Sequence, residues 1–93
     1  MALKILSTKN GTFAVEGEIN AATASQFKSH FETNLNMLNV LTVDIDKITE
    51  VDATGMRALR SLYKKAFLEN KSFSIVGNGC KDIYDDFRAS NIA

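Results

Sequence analysis

Asp52, Thr54 and Gly55 fall within four consecutive positions of Val-Asp-Ala-Thr-Gly-Met-Arg-Ala-Leu (51–59). A carboxylate, a hydroxyl and a glycine at that spacing can do two things. The plain one is to start a helix: Asp52 has the side chain of an N-cap, able to accept from the free N–H groups of a first turn, and Thr54 is a competing cap. The other is to offer the Thr54 hydroxyl as an acceptor for a phosphoryl group. A helix N-terminus stabilises a phosphate ester, a carboxylate two residues away opposes it, and the modification changes the local charge by about −1.5 to −2. Gly55 costs up to about 1 kcal/mol inside a helix, so a positive φ or the close approach of another backbone should require it.

Other chemistry finds little support. The chain has one histidine, His30, and one cysteine, Cys80; a lone cysteine allows no internal disulfide, and with His30 on a helix face and Cys80 after a Gly-Asn-Gly turn there is no Cys-His or Ser-His-Asp set to defend. His30 reads as a surface residue, and Cys80 as a helix-start residue half-buried against Phe73. A zinc cage would need carboxylates or a second chain. Asp44 and Asp46 share one strand face and read as a hydrated edge. Gly-Asn-Gly (77–79) lacks the pattern of a phosphate-cradling loop.

Eleven basic residues balance eleven acidic ones, so no global field invites nucleic acid, and no polybasic run suggests an anionic membrane. No apolar run approaches the ~18 residues a membrane helix needs, and the first residues carry too short an apolar stretch for a signal peptide. The expectation is a cytoplasmic chain without membrane insertion, folded as one domain over 1–93.

The elements that must position the polar cluster follow from periodicity. Residues 2–8 read as a strand, Lys-Asn-Gly (9–11) as a turn, and 12–19 as a second strand with Phe13, Val15 and Ile19 on one face. From 20 to about 38, Ala24, Phe27, Phe31 and Leu35 recur at helical spacing, with Asn20 as the cap and with Thr23 and Ser25 in capping and surface roles. Residues 40–46 alternate as a third strand, with a loop over 47–51. A second helix over about 54–69 has Met56, Leu59, Leu62, Tyr63, Ala66 and Phe67 as its buried stripe. A short strand at 72–76 and a helix over about 80–89, buried through Ile83 and Phe87, complete the chain. The product is α/β, β-β-α-β-α-β-α: a small mixed sheet with parallel crossovers and helices packed on one face.

Three stretches carry a resemblance to the STAS domain family, the fold of anti-sigma-factor antagonists: Val-Glu-Gly-Glu-Ile-Asn-Ala-Ala-Thr-Ala-Ser-Gln-Phe (15–27), the strand, loop and Asp-x-Thr-Gly segment of 41–66, and the last strand and helix of 73–92. The resemblance implies a non-enzymatic protein-binding module that needs no cofactor and works by partner switching. Its partner would be a GHKL-type serine kinase that is also the anti-sigma factor, regulating transcription in a bacterial cytoplasm. In such domains the residue after the aspartate is a serine that the kinase phosphorylates. Here that position is Ala53, which has no hydroxyl. Either Thr54 accepts the phosphate instead, or the domain is an unswitched binder, or it serves another assembly such as the small soluble STAS subunit of an ABC-type phospholipid-transport complex. A small-ligand or nucleotide binder is a further reading. The expected docking surface joins Asp52, Ala53, Thr54 and Gly55 to Arg57 and Arg60 on the helix and to Glu18 and Asn20 after the second strand.

Overall fold

The computed structural model describes residues 3–9, 11–79 and 81–89, without the side chains of 86–89. Strands β1 (Leu3–Lys9) and β2 (Thr12–Ile19) form an antiparallel hairpin. Gly11 sits at φ +77, where a Cβ would also meet the backbone of Val40. Helix α1 (Ala24–Met37) carries the chain to β3 (Val40–Val51), α2 (Ala53–Leu68) to β4 (Ser72–Val76), and α3 (Lys81–Ala89) ends the fold. The sheet order is β1-β2-β3-β4, with β2·β3 and β3·β4 both parallel, as two helical crossovers require.

The core lies between one sheet face and the helices. Phe27, Phe31 and Leu35 of α1 and Leu59 and Leu62 of α2 are fully buried against Val15, Ile19, Leu41, Val43 and Ile45. Phe31 meets Phe27 and Phe13 at ring-centroid distances of 4.9 and 5.5 Å, the second edge to face. Ile83 of α3 joins the same cluster. The opposite sheet face is wetter: Lys4, Leu6, Thr8, Ser72, Ser74 and Val76 are exposed.

Five expectations need correction. Residues 47–51 are strand, not loop: Lys47, Ile48, Glu50 and Val51 pair with β2, and the Thr49 hydroxyl donates to Gly17 O at 3.2 Å. A register shift between Ala14 and Glu16 puts an extra residue on the β3 side. The buried positions therefore run 41, 43, 45 and then 48, and the period of two breaks where the strand does not. Asn20 does not cap α1. It closes a tight turn over 20–23, with Ala24 N donating to Asn20 O at 2.7 Å, Ala22 N to Asn20 Oδ1 at 2.9 Å, and Asn20 N to Thr23 Oγ1 at 2.9 Å. Thr23 stands at the N-cap but makes no side-chain cap bond and is buried, its hydroxyl donating to Glu18 O at 2.8 Å. Phe67 leaves the buried stripe of α2 and is 70% exposed. Asp44 and Asp46 are not simply hydrated: Asp44 Oδ1 accepts Asp46 N at 2.9 Å, and Asp46 Oδ1 accepts Asn78 N at 2.7 Å, holding the turn after β4. Cys80 and the Phe87 side chain lie outside the described residues.

Candidate functional site

Where β3 leaves the sheet, the backbone of Asp52 is extended (φ −93, ψ −175) and its N–H donates to Ile19 O at 3.1 Å, a last rung of the parallel ladder. The helix begins one residue later. Asp52 Oδ1 accepts Gly55 N at 2.8 Å, the N-cap bond expected of the sequence, and Asp52 O accepts Met56 N at 2.8 Å. The second carboxylate oxygen does something the sequence does not announce. Asp52 Oδ2 accepts Ala21 N, 31 residues away, at 3.2 Å. One side chain thus caps α2 and pins the β2–α1 turn beside it.

Gly55 is present because of close approach. It is buried, and a Cβ there would meet the carbonyl oxygen of Ile19, with the Ile19 carbonyl carbon and Cγ2 each at 2.8 Å. The first turn of α2 rests directly on the end of β2. Gly55 therefore shapes the surface without forming part of it.

Around this joint, Ala53 and Arg57 are exposed, and Thr54 and Arg60 are half-buried. The Thr54 hydroxyl makes no hydrogen bond among the described residues. Across from them, Asn20 and Glu18 are half-buried and joined through Asn20 Nδ2 and Glu18 Oε1 at 3.2 Å. The two halves of the predicted surface therefore lie at one end of the sheet, side by side.

From that end an open groove of about 990 Å³ runs between α1 and α2. Ala21, Ala24 and Ala58 line it, and Lys28, Arg57, Arg60 and Lys64 add four cations with no carboxylate among the lining residues. Thr54 stands at its beginning and Phe67 at its far end. Sequence reading missed Ala21, Lys28 and Lys64. The i, i+3, i+7 spacing of Arg57, Arg60 and Lys64 was the available signal, since those positions share a helix face.

His30 is exposed, and its ring meets Phe13 at 5.7 Å and Phe31 at 5.1 Å between centroids. Among the described residues no group of three His, Cys, Asp or Glu side chains is placed to hold a metal ion. No helix there is long and apolar enough to cross a membrane.

A four-stranded mixed sheet with three helices, whose third strand runs into an exposed, aspartate-capped helix start, defines a class of small α/β domains. The chain belongs to the STAS domain family, whose model matches residues 4–90. Solved structures agree in fold. An anti-sigma factor antagonist from Mycobacterium paratuberculosis is 18% identical with a TM-score of 0.78, over 98% of this chain and 80% of that one. The anti-sigma factor antagonist SpoIIAA in its unphosphorylated form gives 10% identity and 0.73, over 94% and 82%. The Bacillus cell fate determinant SpoIIAA in its phosphorylated form gives 13% identity and 0.75, over 98% and 85%. No curated protein matches the chain. Both phosphorylation states of SpoIIAA fit about equally well, so likeness of fold does not distinguish a switched domain from an unswitched one.

Proposed function

We propose that this STAS domain is a non-enzymatic regulatory module of the anti-sigma-factor-antagonist kind. It docks a GHKL-type serine kinase that doubles as an anti-sigma factor, in a bacterial cytoplasm, and so acts on transcription. The docking surface is the end of β3 and the start of α2, with Asp52, Ala53, Thr54, Arg57 and Arg60, flanked by Glu18 and Asn20. The observation that carries the reading is the exposure of Ala53 at the first residue of α2, on a joint that Asp52 fixes to the neighbouring turn. A rigid, solvent-facing helix start is the geometry a kinase needs to approach a hydroxyl or to bind in its absence. Gly55 supports this surface from beneath.

With alanine at the position where the family carries its serine, Thr54 is the remaining acceptor. Its half-buried hydroxyl, without a hydrogen bond among the described residues, lies one residue further into the helix. A phosphate there would add about −1.5 to −2 charge at the docking surface with little change of shape, enough to release a partner packed against the neutral hydroxyl.

The test is a binding titration of purified candidate GHKL-type kinases, followed by incubation with ATP and intact-mass measurement. The proposal expects a stoichiometric complex with one kinase that weakens at least about tenfold for Thr54→Glu or Arg57→Glu. A phosphate that disappears in Thr54→Ala identifies the acceptor, and stable binding without phosphate transfer identifies an unswitched antagonist. No complex with any such kinase, or co-purification with a permease and its ATPase instead, overturns it. Gly55→Arg is unsuitable as a docking variant because that position has no room for a side chain.

A further inference from the structure

We infer that the groove between α1 and α2 is a seat for an acidic amphipathic helix of the protein partner, an inference that rests on the protein-docking reading of the same end of the domain and names the chemistry of what docks. Three observations carry it.

The first is charge. The chain as a whole is balanced, eleven against eleven, yet the groove lining holds four cations and no carboxylate. Lys28 reaches Glu32 at only 4.0 Å, across exposed side chains, and Glu32 is not among the lining residues. Arg57 and Lys64 are exposed and make no ion pair or hydrogen bond among the described residues. The charges of Arg57 and Lys64, without a partner among the described residues, select a negative partner.

The second is the floor. Ala21, Ala24 and Ala58 present small side chains there, so a partner's backbone can approach closely. At the far end Phe67 is 70% exposed, a large apolar surface that gains from being covered. Its departure from the core, unexplained by the packing of α2 alone, acquires a use as the wall of a trough.

The third is length and shape. From Thr54 to Phe67, α2 rises about 20 Å at ~1.5 Å per residue, which matches three to four turns of a partner helix. The trough is open along its length, as the exposure of Arg57, Lys64 and Phe67 shows. A free anionic lipid needs a site that covers roughly 70–90% of its surface. A helix needs only to lay one apolar stripe, at i, i+3, i+4 and i+7, into the groove, with its carboxylates over the flanking cations. Since Thr54 opens the trough, the proposed phosphate would lie beside Arg57 and repel the carboxylates of the helix end seated there.

The experiment uses the whole domain and three synthetic fluorescent peptides of about 14 residues, ~20 Å as helices. One carries leucines at helical spacing with glutamates on the flanks. The second replaces the glutamates by lysines. The third keeps the glutamate composition but breaks the helical period. Affinity is read by anisotropy and location by amide chemical-shift changes. The inference expects the acidic amphipathic peptide to bind at least about tenfold tighter than either control, with affinity falling as salt rises. Shift changes should concentrate on 21–28 and 54–67, and Arg57→Glu with Lys64→Glu should reverse the charge preference. Equal binding of the acidic and basic peptides, no binding up to millimolar peptide, or shifts centred on the open sheet face overturns it. So does binding to phosphatidylglycerol-containing vesicles or to oleate by a domain that ignores the acidic peptide. The double variant is also titrated against the kinase. Unchanged kinase binding with a failed peptide result removes the groove and leaves the antagonist reading standing. Peptide binding in the groove without any kinase complex removes the antagonist reading instead.

Discussion

The carboxylate of Asp52 accepts the backbone N–H of Ala21 at 3.2 Å while capping α2 through Gly55 N at 2.8 Å. Two segments that the chain separates by a whole helix are thereby fixed as one surface. Losing the cap alone costs about 0.5–2 kcal/mol, typically ~1. Loss of the bond donated by Ala21 N adds less, because that N–H is exposed to water. Asp52→Ala should therefore lower the urea midpoint by an amount equivalent to about 1–2 kcal/mol with an unchanged m-value. Asp52→Asn, which keeps an acceptor oxygen, should recover much of the loss. A stability of Asp52→Ala equal to wild type would mean that the joint does not depend on this side chain.

Gly55 sets two effects against each other. Alanine gains about 1 kcal/mol in helix propensity over glycine. Its Cβ, however, would stand 2.8 Å from both the Ile19 carbonyl carbon and Cγ2, and overpacking of this kind costs about 1–3 kcal/mol. Backbone cannot swing aside as a long side chain can, so the steric cost wins. Gly55→Ala should lower the thermal midpoint, and an increase would show that the helix start can lift away from β2.

Which parts were legible in the sequence follows from which interactions are local. The N-cap at Asp52 and the need for a tight approach at Gly55 were readable, because each is written in neighbouring residues. The seven elements were readable from their periods, except where β3 takes up an extra residue opposite β2 and its inward positions jump from Ile45 to Ile48. Asn20 misled for a related reason: the side chain that caps helices also closes tight turns, and only the position of Glu18 and Thr23 in space decides which. Asp46 looked merely solvated because the N–H that donates to it, that of Asn78, comes from the turn after another strand. Phe67 looked buried because periodicity marks a stripe but not its edges. The groove was legible only as a row of cations on α2, since α1 supplies its other wall.

Tyr84 gives a pH-dependent handle on the same distant contacts. Its hydroxyl donates to Gly77 O at 2.7 Å, beside the turn that Asp46 holds. Burial, and then the negative charges of Asp46 and Asp44, push the phenol above its ordinary 10.0. A phenol raised in the fold stabilises it while protonated. The contribution is complete below about pH 10, the unfolded value, and is lost as pH rises through the raised folded value. Near-ultraviolet titration should show Tyr84 ionising after free tyrosine, and Asp46→Asn, which keeps the acceptor for Asn78, should lower it part of the way, since burial remains. Tyr84→Phe should cost about 0.5–1.5 kcal/mol at neutral pH and flatten this alkaline dependence. An ordinary tyrosine titration in the folded domain would contradict the contact.

The exposed position of Ala53 makes the family's usual chemistry testable by a single substitution. A surface change at the first residue of a helix shifts stability by only about 0.5 kcal/mol or less, so Ala53→Ser should fold as the parent does. On the proposed function, a kinase that docks this surface should now transfer a phosphoryl group to the new hydroxyl. In the background Thr54→Ala the mass should still rise by one phosphate, which assigns the transfer to position 53. The added charge of about −1.5 to −2 then sits beside Asp52 on a surface the kinase bound when neutral. The phosphorylated variant should dissociate, whereas Thr54→Ala alone, with Ala53 retained, stays bound through any number of ATP turnovers. A kinase that binds Ala53→Ser and never phosphorylates it would mean that its active centre does not reach the start of α2, and that docking occurs elsewhere on the domain.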